Sequence, residues 1–272
     1  MPYFNAPDGA RLFYEDEGTG VPVLCLSGLT RNARDFDFVA PHLPETRLIR
    51  MDYRGRGRSE YTGADTYSVP NEAKDAIALL DHLGVDKAGI LGTSRGGLIA
   101  LILATTARNR LLGVAFNDIG PVVEAGGLDN IMGYLGVAPE AASLNELAQT
   151  RTTDPAFPGV PVERWRSFLS HNVEETESGL SLRYDLALRD AVAATFDQPT
   201  PNLWPIFNML AFLPVAVIRG ENSDLLSRKT VTRMARRHPG MIRATVPDRG
   251  HIPFLDEPEA VAALSKWIKA IA

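Results

Sequence analysis

A serine hydroxyl attacks well only when a base removes its proton and a third group orients that base. Ser94 sits at the centre of Gly92-Thr93-Ser94-Arg95-Gly96, between an apolar run that reads as a strand and one that reads as a helix. A strand that passes into a helix through so tight a turn holds its apex residue strained, with the side chain raised above the sheet. Small residues are needed two positions to either side. Gly92 and Gly96 supply them, and Gly97 eases the helix against the sheet. Ser94 is therefore the candidate nucleophile. Of the five histidines, His42, His82, His171 and His238 read as solvated or structural. His251 differs, because Asp248-Arg249-Gly250-His251 lies beyond an apparent strand, Met241 to Pro247, and just before the last helix. It is the candidate base.

For the orienting acid, Asp224 follows the strand Pro214 to Arg219 in the loop Gly220-Glu221-Asn222-Ser223-Asp224. Glu221 and Asp118 compete with it. Asp118 comes directly after the strand Leu112 to Asn117, but its Asn-Asp-Ile-Gly-Pro turn also explains an aspartate structurally. Asp224 is preferred, giving the order Ser94, Asp224, His251. An anionic tetrahedral intermediate further needs preorganised donors, each worth roughly 100-fold to 1000-fold in rate. One is the Arg95 N–H, at a helix amino terminus where amides are unpaired. The other is expected from Ser27-Gly28-Leu29-Thr30, with the Leu29 N–H as the candidate.

These residues need a scaffold. Apolar runs without strict alternation at Val21 to Leu26, Arg47 to Met51, Ala88 to Leu91, Leu112 to Phe116 and Val215 to Ile218 read as strands buried on both faces. Helical spacing separates them, as at Ala73, Ile77 and Leu80 before Gly84, and at Val261, Leu264 and Ile268. The pattern implies an α/β fold with a mainly parallel, doubly wound sheet. Phe4 and Arg11 to Glu15 flank Ala6-Pro7-Asp8-Gly9 and predict an N-terminal hairpin. The alternation stops after Pro121 and resumes near Leu213, so residues 122–205 read as a helical cap inserted into a core of 1–121 and 206–272. Insertions beyond the carboxyl ends of parallel strands surround the ligand crevice, which makes this one a lid. Trp165, Phe168, Trp204, Phe207 and Phe212 are expected mostly to form core, with some lining a pocket. Leu225 and Ile252 are pocket candidates by adjacency.

Composition excludes other classes. The chain has 272 residues, 45% hydrophobic and 22% charged, with a net charge of -5. That balance gives no electrostatic reason to expect nucleic acid or an anionic membrane as partner. Cys25, the only cysteine, lies in an apolar run and reads as an inert core thiol, and no histidine or cysteine spacing suggests a metal site. Gly92 to Gly97 lacks the lysine of a phosphate loop, and Gly55 and Gly57 do not complete a dinucleotide fingerprint. Arg54, Arg56 and Arg58 read as a solvent-exposed turn or as partners of carboxylates such as Asp52. The amino terminus lacks the basic start and apolar core of a secretion signal, so a cytoplasmic location is expected.

With Gly92 to Gly97, Ser27-Gly28, Asp52-Tyr53-Arg54-Gly55-Arg56-Gly57-Arg58-Ser59, Gly220 to Asp224 and Gly250-His251, the chain resembles the α/β-hydrolase superfamily over nearly its whole length. It is most similar to bacterial serine esterases, enol-lactonases and carbon-carbon bond hydrolases with a helical cap. Relatives usually carry His-Gly at the oxyanion loop, where this chain has Ser27-Gly28. Epoxide hydrolases and haloalkane dehalogenases carry aspartate at the elbow, so Ser94 implies acyl transfer to water. The resemblance implies hydrolysis of a small carboxylic ester or lactone through an acyl-enzyme, with no cofactor. Cleavage of a ring-cleavage dienone, or a ligand sensor on the same fold, are the alternatives.

Overall fold

The computed structural model describes residues 2–177, 179–196 and 201–272. Its strands are β1 (Tyr3–Asn5), β2 (Arg11–Glu17), β3 (Val21–Leu26), β4 (Thr46–Met51), β5 (Ala88–Thr93), β6 (Leu111–Asn117), β7 (Val173–Thr176), β8 (Gly179–Leu182), β9 (Val215–Gly220) and β10 (Ile242–Val246). Eight of them form one sheet in the order β1-β2-β4-β3-β5-β6-β9-β10. From β4 to β10 neighbours run parallel, whereas β1 and β2 form the expected antiparallel hairpin and β2 pairs antiparallel with β4.

Continuous apolar runs occupy the middle of the sheet because both of its faces are covered. On one face α1 (Val69–His82) and α2 (Arg95–Thr106) place Leu79, Ile99 and Leu103 against Leu24, Ile90 and Val114. Ser68 accepts a hydrogen bond from the Asn71 N–H and Pro70 occupies the first turn, which starts α1 ahead of the helical spacing at Ala73, Ile77 and Leu80. On the other face, α9 (Pro258–Ile271) sets Leu264, Trp267 and Ile268 against Val23, Leu91 and Ala216. Each large side chain buried this way contributes about 1.5–3 kcal/mol.

Between β6 and β9 the chain leaves the sheet. It forms α3 (Ala125–Tyr134), α4 (Leu144–Arg151), α5 (Val162–Leu169), α6 (Leu188–Phe196) and α7 (Trp204–Asn208), with the β7–β8 hairpin between α5 and α6. The hairpin was not expected from sequence, since its two four-residue strands are short and only partly buried. Phe157, Trp165 and the half-buried Phe168 pack with Phe254 from the core, so these aromatics also dock the insertion. Trp204 and Phe207 belong instead to the main core beside α2, and Phe212 is fully solvated at 99% exposure. Among the described residues, no helix is long and apolar enough to cross a membrane. Between β9 and β10, α8 (Arg228–Arg237) buries Met234 against the same face as α2 and presents its arginines outward.

Candidate active site

The carboxyl ends of β3, β5, β6, β9 and β10 converge on Ser94. The residue links β5 to α2 at φ 49°, ψ −113°, a left-handed strain that non-glycine residues rarely bear. Backbone bonds hold it there: the Ser94 N–H donates to the Asn117 carbonyl at 3.0 Å, and the Gly96 N–H to the Ser27 carbonyl at 3.0 Å. A Cβ on Gly92 would come within 2.6 Å of the Gly96 and Gly97 backbone, so the turn closes only around glycine.

His251 stands in the loop after β10 with its Nε2 2.9 Å from Ser94 Oγ and its Nδ1 2.7 Å from Asp118 Oδ2. The acid beside the histidine is therefore Asp118, not Asp224. Asp118 directly follows β6 with φ 54°, fully buried, and its carboxylate accepts from the Gly220 N–H at 2.9 Å and from Ser223 Oγ at 2.6 Å. Three donors thus fix a carboxylate that would otherwise be costly to bury. Asp224 is exposed and accepts from Asn130 Nδ2 of α3 at 2.7 Å. The loop after β9 turns Ser223 inward and leaves Asp224 outside. What could have found Asp118 is its place directly after the strand that neighbours β5. That neighbour relation is a property of the sheet order rather than of the local sequence.

Asn117 ties the pieces together, its Nδ2 reaching Thr93 Oγ1 and the Pro253 carbonyl, both at 3.2 Å. Opposite, among the described residues, the backbone N–H groups of Leu29 and Arg95 donate to no protein acceptor. The loop bearing Leu29 is held from the turn after β4. Tyr53 Oη donates to the Ser27 carbonyl at 3.0 Å, and Arg56 Nε donates to the Leu29 carbonyl at 2.9 Å.

The Arg54, Arg56 and Arg58 stretch is thus mostly interior. Arg54 is buried between Asp75 and Asp8, and Arg56 is buried beside Glu72 with Nη1 3.0 Å from Oε1. Arg95 Nε donates to the same Glu72 carboxylate at 2.6 Å, which accounts for a side chain the motif alone leaves without a role. Burial works against the charge of Arg56 and lowers its pKa, while Glu72 opposes that shift. The same turn also grips the insertion: the Gly57 N–H donates to the Arg183 carbonyl and the Asp185 N–H to the Gly55 carbonyl, both at 2.8 Å.

Two chambers meet at Ser94. The larger, about 650 Å³, is mainly apolar and includes Leu98, Ile119, Val123 and Leu225. The smaller, about 310 Å³, includes His251, Ile252, Trp165 and Phe168. Leu225 and Ile252 therefore both line the site, in different chambers. Cys25 is fully buried below the sheet end, and burial pushes its thiol up to about 12, as befits an inert core residue.

A sequence profile described as the alpha/beta hydrolase family matches residues 23–264. A 3-hydroxybutyrate-oligomer hydrolase from Cupriavidus necator is 34% identical over 251 residues, spanning 88% of this chain and 85% of its own. A 2-(acetamidomethylene)succinate hydrolase from Mesorhizobium japonicum is 23% identical across 94% of this chain and 90% of its own. Among solved structures, an alpha/beta hydrolase from Novosphingobium aromaticivorans superposes with a TM-score of 0.90 at 35% identity, covering 99% of this chain and 97% of that one.

Proposed function

Because the chain belongs to the alpha/beta hydrolase family and is a hydrolase on that fold, we propose that it cleaves a small carboxylic ester or lactone through an acyl-enzyme on Ser94. The observation that carries this reading is the unbroken chain of contacts from Ser94 Oγ through His251 to Asp118. His251, with its proton on Nδ1 toward the carboxylate, takes the serine proton at Nε2 as Oγ bonds to the carbonyl carbon. The carbonyl oxygen becomes anionic and is met by the Leu29 and Arg95 N–H groups. The tetrahedral intermediate then expels the alcohol oxygen, which takes the proton from Nε2. A water deprotonated by His251 attacks the acyl-enzyme, releasing the acid and restoring Ser94.

Residues 122–205 act as a lid that shields these steps from bulk water. The first relative supports ester chemistry, since an oligomer of 3-hydroxybutyrate is joined hydroxyl to carboxyl. The reading is tested with purified Ser94→Ala and a panel of short esters and lactones. Turnover is expected to fall by at least about 10⁴-fold. Equal hydrolysis by the variant and the parent sinks it.

A further inference from the structure

Resting on the ester reading above, we propose that the substrate is an acylated hydroxy acid: an open-chain ester whose leaving alcohol carries a free carboxylate and whose acyl part is uncharged. Two observations of the chambers lead there. The first is orientation. His251 lines only the smaller chamber and Arg95 only the larger, while Ser94 and Leu29 line both. The group that takes the proton from His251 Nε2 is the leaving oxygen, so the alcohol occupies the smaller chamber and the acyl chain the larger. A substrate filling both is open at each end of its ester bond.

The second observation is charge. Among the described residues, the smaller chamber is lined by Arg31 and Arg151 and by no carboxylate, whereas the larger is lined by Asp65 and Asp190, with Arg95 tied to Glu72. Both guanidiniums of the smaller chamber are held in place. Arg31 Nε donates to the two Asp35 oxygens at 2.8 Å, and its guanidinium carbon lies 3.7 Å from the Phe168 ring centroid. Arg151 Nη2 meets Asp154 at 2.7 Å with the guanidinium 5.0 Å from the Trp165 ring centroid. Asp35 and Asp154 are not among the residues that line the chamber. Each offsets part of one positive charge, and among the described residues Arg31 and Arg151 remain unmatched by any carboxylate of the chamber wall. Arg151, with 43% of its side chain exposed, is the more reachable donor, and Arg31 supplies a fixed positive field. A carboxylate on the acyl side would instead face Asp65 and Asp190.

The test compares three esters by kcat/KM: O-butanoyl lactate, its neutral counterpart O-butanoyl lactamide, and monoethyl glutarate, whose carboxylate lies on the acyl side. The lactate ester is expected to lead each of the others by about tenfold, equivalent to about 1.4 kcal/mol. In Arg151→Gln the lead over the lactamide shrinks several-fold, through KM, and Arg151→Glu reverses it. Turnover with no preference, or a preference for monoethyl glutarate, overturns this assignment and leaves the ester reading standing. No turnover of any of the three, together with no fluorophosphonate labelling of Ser94 in folded protein, overturns the ester reading itself.

Discussion

At Asp118 a residue with an ordinary turn explanation takes the place beside His251 that the sequence order assigned to Asp224. The two aspartates make a clean pair of experiments. Asp118→Asn leaves the geometry nearly intact but presents an amide where the imidazole needs an acceptor, so kcat is expected to fall by roughly 10³–10⁴-fold. Asp224→Asn, which changes only an exposed contact with Asn130, is expected to stay within about twofold of the parent. The reverse ranking in steady-state kinetics would restore Asp224 as the orienting acid. Arg56 offers a second comparison. Its Nε holds the Leu29 carbonyl and so sets where the Leu29 N–H points. Arg56→Met is expected to lower kcat by about 10–100-fold with KM little changed, because the oxyanion develops only in the transition state. A rise in KM alone, with kcat preserved, contradicts that role.

At the scale of elements, the turn after β4 does three jobs with eight residues. Asp52 accepts from the Ala33 and Arg58 N–H groups, Tyr53 and Arg56 hold the loop after β3, and the Gly55 and Gly57 backbones bond the insertion. The sequence marks this stretch as a turn rich in glycine and arginine. Its arginines read as solvated charges or as partners of carboxylates, and the fold decides for pairing at Arg54 and Arg56 by bringing Asp8, Asp75 and Glu72 around them. The elbow is the opposite case, since its glycine spacing is visible in the chain, although the structure shows a Cβ meeting elbow backbone at Gly92, the Leu26 carbonyl of β3 at Gly96 and the Ile119 side chain at Gly97. Gly92→Ala is expected to destabilise by about 1–3 kcal/mol, measured by denaturant unfolding, because the new methyl meets backbone that cannot rotate away. An unchanged midpoint would mean that the elbow relaxes.

For the whole molecule, stability should carry the signature of buried carboxylates. Burial pushes Asp52 up to about 6 despite its two backbone donors. Below about pH 4 this group is protonated in both folded and unfolded chains, so its contribution is fully present there. Between about pH 4 and pH 6 the unfolded chain ionises while the folded one resists, so this contribution is lost as pH rises through the folded value. Asp52→Asn cannot ionise. The stability of the parent relative to Asp52→Asn is therefore expected to decline as pH rises across that window, read from thermal unfolding at matched ionic strength. A relative stability that is flat or rising there removes the case for a raised Asp52.

Much of this protein is legible in its sequence for one physical reason: the deciding interactions are local. Strands buried on both faces read as unbroken apolar runs, helices as periodic ones, and the Ser94 elbow as a serine flanked by glycines at fixed spacing between a strand and a helix. His251 is recognisable because it follows a strand and precedes the last helix. What needed the tertiary structure was every choice that depends on which strands are neighbours. Asp118 meets His251 because β6 lies between β5 and β9, and Ser223 rather than Asp224 turns inward because it finds the Asp118 carboxylate there. Likewise Glu72, a helix residue with nothing to distinguish it in the chain, becomes the buried bridge between Arg56 and Arg95 only once α1 packs beside the elbow. Long-range pairing of buried charge leaves no period in a sequence, whereas backbone geometry and hydrophobic burial do.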